Sequence, residues 1–214
     1  MSEILKEDQQ AYLDELLIPS TGLLAEMESF AAEKGIPILD KHASAFLESL
    51  ILIKKPTAVL EIGTAIGYSA IRIAKNLPEG ASVTTIEKSK PNTELALSYI
   101  QRSGVGEKIR LLGGDALDIL ETHPVKYDFI FLDADKEDYK RLFDLSVPLL
   151  KPGGVMFVDN LLWHGYAASA KVPEKYKRSA ELIKEFNDYF LSFPGLSSRI
   201  ISVGDGLGIG VKTE

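Results

Sequence analysis

Cysteine is absent from this chain, which excludes disulfides and thiolate metal sites and suits a reducing, cytoplasmic setting. Long apolar runs are absent too. The longest are strand-sized, far short of the roughly 20 residues that cross a bilayer, so no membrane association is expected. The first residues, Met1-Ser2-Glu3-Ile4-Leu5-Lys6-Glu7-Asp8, are polar and acidic where a secretion signal is basic and then apolar. Positive charge is in short supply. With 24 Lys and Arg against 31 Asp and Glu, the formal net charge is −7, the wrong sign for a general nucleic-acid coat. No Pro/Gly/Ser linker or internal repeat divides the 214 residues, and 45% hydrophobic content supports one well-cored domain over residues 1–214.

What is present is an alternation of periods. Helical spacing runs from Gln9 to Leu17, from Thr21 to Lys34 with Gly35 closing, and from Lys41 to Ile53. Strand-sized apolar runs follow at Ala58 to Ile62, Ser82 to Ile86, Ile109 to Leu112, Phe129 to Leu132, Val155 to Val158, Ile200 to Val203 and Leu207 to Val211. Helical stretches separate the first six. This predicts an α/β fold with a doubly wound, mostly parallel, seven-stranded sheet over 58–212, preceded by N-terminal helices over 1–53. The last two runs are separated by Gly204-Asp205-Gly206, too short for a crossover helix, so they must close the sheet as an antiparallel hairpin.

Ligands of open α/β sheets collect outside the carboxyl ends of the strands, and there this chain places acids. Asp133 follows Phe129-Ile130-Phe131-Leu132, and Asp159 follows Val155-Met156-Phe157-Val158 with Asn160 next. If those strands are neighbours, about 4.8 Å apart, two carboxylates and an amide converge on one hard divalent cation held by oxygens alone. Magnesium is the expected ion, with manganese or calcium as alternatives.

Other strand ends suit a nucleotide-like ligand. Gly63-Thr64-Ala65-Ile66-Gly67-Tyr68-Ser69 is a glycine-bounded turn into a helix, with Ala65 where a dinucleotide motif has its middle glycine. That departure counts against NAD and a dehydrogenase, although Glu87 could hold a nicotinamide ribose. Glu87 ends the second strand, where a carboxylate accepts from both ribose hydroxyls. Asp115 and Ala116 end the third, as an adenine contact or equally a helix cap.

Leu60-Glu61-Ile62-Gly63-Thr64 with Gly67-Tyr68-Ser69, then Asp133-Ala134-Asp135-Lys136 and Asp159-Asn160, resembles the metal-dependent O-methyltransferases of the catechol and caffeoyl-CoA type. The likeness runs from about Ile38 to Lys212 and is greatest to the small bacterial branch that includes a tRNA 5-hydroxyuridine methyltransferase. It implies S-adenosylmethionine held by Glu61, Gly63, Ser69, Glu87, Asp115, Ala116 and Asp133. It also implies a cation on Asp133, Asp159 and Asn160, Lys136 as the base, and a homodimer. The expected reaction is methyl transfer to a metal-chelated hydroxyl of a small catechol-like substrate. The alternative substrate is tRNA. A binding module that has lost catalysis is the non-enzymatic reading, against which the intact Asp133, Lys136, Asp159 and Asn160 argue.

Substrate contacts are expected downstream. Trp163 and His164, close behind the acid pair, could wall the mouth with aromatic surface. The locally positive segment with Lys171, Lys175, Lys177 and Arg178 could meet phosphates of RNA or a CoA ester, or be a solvated helix face. Of the other histidines, His42 falls on an expected helix and His123 precedes Pro124 in an expected loop.

Overall fold

The computed structural model describes residues 6–214, so the reading of the first five residues lies outside it. Three helices lead: α1 (Glu7–Leu16), α2 (Leu23–Lys34) and α3 (Lys41–Lys54). Gly35 ends α2 at φ 64°, and the Asp40 carboxylate starts α3 by accepting from the His42 and Ala43 amides.

The alternating core then begins. Strands β1 (Ala58–Ile62), β2 (Ser82–Glu87), β3 (Ile109–Gly113), β4 (Tyr127–Leu132) and β5 (Leu150–Val158) are joined by helices α4 (Tyr68–Asn76), α5 (Lys90–Arg102), α6 (Ala116–Glu121) and α7 (Tyr139–Ser146). Helix α8 (Lys177–Ser192) leads to β6 (Leu196–Ile201) and β7 (Leu207–Lys212). The sheet order is β3-β2-β1-β4-β5-β7-β6. The β1–β2, β1–β4, β2–β3 and β4–β5 pairs are parallel; β7 runs antiparallel to both β5 and β6.

Period-2 alternation sends side chains to two helical layers. Val59, Phe129, Phe131 and Phe157 pack with α2, α3 and α4. Leu60, Ile62, Ile130, Leu132, Met156 and Val158 pack under α7 and α8. Strand order reverses between β1 and β4, which opens the crevice at their carboxyl ends.

Three strands differ from expectation by two residues or more. Strand β4 starts two residues early at Tyr127, whose ring is buried, and β5 starts at Leu150, running through Pro152-Gly153-Gly154 before Val155. Strand β6 spans Leu196–Ile201 rather than Ile200–Val203, which lengthens the hairpin connection to residues 202–206.

Candidate active site

At the β1–β4 switch point lies a cavity of about 800 Å³. Gly63, Ser69, Glu87, Asp115, Ala116, Asp133, Lys136, Asp159, Asn160, Trp163 and His164 all line it. The strand-end reading thus brings its candidates together. Glu61 does not line it: the side chain is fully buried behind the wall. Lys171, Lys175 and Arg178 do not line it either, although Ser179, the next residue, does.

The first half of the cavity is shaped by close backbone approach. Gly63 has φ 102°, and a Cβ there would lie 1.8 Å from the Asp133 carbonyl oxygen. Only glycine lets β1 leave the sheet against β4. Ala65, in the place of the missing middle glycine, itself has φ 46°, and its amide donates to Glu87 Oε2 at 2.8 Å. The other Glu87 oxygen accepts from the Ser89 amide at 2.8 Å. Glu87 thus ties β2 to the β1–α4 turn, with a further lone pair on each oxygen for ligand hydroxyls. Asp115 caps α6 through the Leu117 amide at 2.9 Å while lining the cavity, so the helix-cap reading of it holds.

Behind the turn, Thr85 donates to Glu61 Oε2 at 2.5 Å, and Thr64 and Thr85 share a hydroxyl contact. Glu61 Oε1 has no partner. Burial, chiefly, pushes the Glu61 carboxyl up to about 7.

The second half is a cation cage. Leu132 and Val158 are paired neighbours on β4 and β5, so Asp133 and Asp159 emerge side by side. The Lys136 ammonium donates to Asp133 Oδ1 at 3.1 Å, Asn160 Oδ1 at 2.7 Å, the Ala134 carbonyl at 3.0 Å and the Tyr139 hydroxyl at 2.5 Å. The Tyr139 hydroxyl in turn donates to the Asp159 backbone carbonyl at 3.0 Å. Asp159 is buried, and its Oδ1 accepts the Asn160 amide at 2.7 Å. Burial and the nearby Asp133 charge raise its carboxyl above the usual range.

Among the described residues no three His, Cys, Asp or Glu side chains cluster as a metal site; the donor set is two carboxylates and an amide oxygen. It fits a hard cation. Asp133 Oδ1 and Asn160 Oδ1 already converge on the Lys136 ammonium, and the Asp159 carboxylate is buried beside them with no ion pair among the described residues.

Aromatic side chains close the mouth. Trp163 and His164 have centroids 5.0 Å apart, His164 lies 5.7 Å from Tyr176, and Tyr176 stacks on Tyr166 at 5.4 Å. Tyr176 was not singled out in the sequence, because it sits in the basic segment away from any strand end. Nor was Asp205, which reaches this loop from the β6–β7 hairpin.

Fold and site together define a Rossmann-like methyltransferase domain. The O-methyltransferase family matches residues 18–213. A caffeoyl-CoA O-methyltransferase of Populus kitakamiensis is 36% identical over 171 residues, covering 76% of this chain and 72% of the relative. Tapetum-specific methyltransferase 1 of Arabidopsis thaliana is 33% identical over 211 residues, 96% of this chain and 84% of the relative. Among solved structures, the Bacillus cereus O-methyltransferase in complex with SAH matches with TM-score 0.84 at 28% identity, over 96% of this chain and 97% of that one. TomG of Streptomyces achromogenes, in complex with SAM, matches with TM-score 0.84 at 25% identity, over 98% and 100%. The chain belongs to the O-methyltransferase family of the caffeoyl-CoA type, and it is an S-adenosylmethionine-dependent enzyme. Among the described residues no helix is long and apolar enough to cross a membrane.

Proposed function

We propose that the enzyme moves the methyl group of S-adenosylmethionine to one hydroxyl of a small catechol-like substrate, with a divalent cation bound at Asp133, Asp159 and Asn160. The observation that carries this reading is the convergence of Asp133, Lys136 and Asn160 beside buried Asp159, in the cavity that Gly63, Glu87 and Asp115 also line. When bound, a divalent cation supplies Lewis acidity to a vicinal oxygen pair.

The chain's own groups do the rest. Glu87 and Asp115 hold the cofactor's polar edges, while the first turn of α4 offers amides to its carboxylate. Lys136 Nζ is placed to receive the proton of the attacking hydroxyl. The oxygen forms a bond to the methyl carbon as the carbon–sulfur bond breaks, its electron pair returning to sulfur as S-adenosylhomocysteine leaves. Trp163 and His164 hold the ring so that oxygen, carbon and sulfur stay in line.

A second reading, methylation of 5-hydroxyuridine in tRNA, is favoured by the position of Arg178 next to cavity-lining Ser179 at the start of α8. Net acidity argues the other way. Label transfer from S-adenosylmethionine to catechol and to total tRNA, each with and without magnesium, separates the two. Magnesium-dependent label in catechol is the expected result. Label in tRNA alone would replace it with the second reading.

A further inference from the structure

The geometry points to Asp205 as a positioning residue that holds the substrate wall through the 160–164 loop. Strand β6 is antiparallel to β7, which is antiparallel to β5, so β6 is parallel to β5. Its carboxyl end therefore opens on the same crevice as Asp133 and Asp159. The hairpin tip that follows is braced from behind: a Cβ on Gly204 would meet the Ala43 Cβ at 3.2 Å and the Asp40 carboxylate at 3.4 Å.

From that support the tip grips the loop. Leu161 N donates to the Gly206 carbonyl at 2.9 Å and Leu162 N to the Asp205 carbonyl at 2.9 Å. His164 N donates to Asp205 Oδ1 at 2.6 Å, and Asn160 Nδ2 lies 3.5 Å from Asp205 Oδ2. Gly206 is pressed so close that a Cβ would come within 2.8 Å of Leu162 N. On the far side, Asn187 Nδ2 of α8 donates to the Leu161 carbonyl at 2.7 Å.

The loop needs such holding. Asn160, Trp163 and His164 have φ of 60°, 47° and 55°, left-handed values that cost non-glycine residues free energy and persist only when their surroundings enforce them. The charged acceptor on His164 N, made by a side chain rather than by the ladder, is the contact evolution or mutagenesis can remove without breaking the hairpin. Asp205 touches neither reacting atom. It acts through His164, Trp163 and Asn160.

Trp163 is the chain's only tryptophan, and its Nε1 is buried without a partner, so its fluorescence reports this loop alone. In Asp205→Ala, Trp163 emission should shift to the red and acrylamide quenching should rise. The catechol KM at saturating magnesium should increase roughly 10- to 100-fold, the range for lost outer contacts, while the S-adenosylmethionine Kd from titration calorimetry stays unchanged. Asp205→Asn keeps an oxygen for His164 N and should return the emission to the wild-type position. Asp205→Ser replaces the alanine variant, with the same expectations, if alanine does not fold. Wild-type emission and quenching in the truncated variant would overturn the assignment. So would a loss of cofactor affinity as large as the loss of kcat/KM, or an asparagine variant that fails to restore the emission. The catechol measurement rests on the function proposed above, whereas the fluorescence does not. A wild-type enzyme inactive on catechol would sink that function and leave the clamp to be decided by Trp163.

Discussion

Lys136 and Asn160 are joined directly, the ammonium donating to the amide oxygen at 2.7 Å. The proposed proton acceptor and a proposed metal ligand therefore share one oxygen, and Asp133 Oδ1 is shared in the same way. A divalent cation must compete with the ammonium for these atoms. Lys136→Met should bind Mn²⁺ more tightly than the wild type, because the internal competitor is gone, yet lose turnover by roughly 10²- to 10⁴-fold, the usual contribution of a positioned base. Metal titration followed by single-turnover assay measures both. A methionine variant that kept its rate would remove Lys136 from the chemistry.

Asp159 poses a stability question as well as a catalytic one. Its carboxyl is raised by burial and by the Asp133 charge, which outweigh the Asn160 amide and the more distant Lys136 charge, and it makes no ion pair of its own among the described residues. An uncompensated buried acid destabilises the empty protein. Asp159→Asn should therefore raise the melting temperature of the metal-free protein while lowering kcat/KM by more than the 10- to 100-fold typical of an outer-shell loss. The S-adenosylmethionine Kd should hold, since Glu87 and Asp115 lie at other strand ends. Parallel scanning calorimetry in EDTA and in magnesium reads the trade-off, and a lowered metal-free melting temperature would contradict it.

Glu61 sets a pH dependence of folding. Burial raises its carboxyl from 4.5 to about 7, so between those values the folded chain keeps a proton that the unfolded chain has released. The contribution is fully present below pH 4.5 and is lost as pH rises to about 7, a total on the order of 3 kcal/mol at 1.36 kcal/mol per unit. Glu61→Gln should flatten this slope in cofactor-free, metal-free protein. Urea melts at pH 4.5, 6 and 8 test it; parallel curves for the two proteins would count against Glu61.

Most of the fold was legible because its signals are local. Gly35 and the apolar runs announce the end of α2 and the buried strands by their own chemistry. Strand β6 was misplaced because it is an edge strand, and Leu196-Ser197-Ser198-Arg199 carries serine where a buried strand would show a β-branched residue. The sequence shortens β5 because Pro152-Gly153-Gly154 reads as a breaker; the strand runs on through it with Gly153 at φ 71° and a register shift against β4.

The acids lining the cavity were legible from one rule, acids at carboxyl ends; Asp205 and Tyr176 escape it for separate reasons. Asp205 comes from a strand whose direction depends on β7 inserting between β5 and β6, a long-range pairing with no local mark. Its signal was a charged residue between two glycines beyond a strand, legible only once β6 was known to run parallel to β5. Tyr176 reaches Trp163 and His164 through a folded-back segment, which spacing does not encode.

The basic segment offers a test between the two proposed substrates. Lys177 is already paired with Glu174 at 2.6 Å, and Lys175 lies over the Tyr176 ring at 4.5 Å, so neither its charge nor its stem is idle. Lys171, Lys175 and Arg178 lie outside the cavity lining, so a small substrate held within the cavity would not reach them. The triple variant Lys171→Gln, Lys175→Gln, Arg178→Gln should leave catechol kcat/KM within about twofold, as for surface changes worth about 0.5 kcal/mol. A tRNA substrate predicts the opposite. Each lost phosphate contact would raise KM and flatten the slope of log affinity against log salt by about 0.7 to 0.9. If catechol turnover fell in step with tRNA turnover, the segment would be part of the site itself and the small-substrate reading would lose its geometric basis.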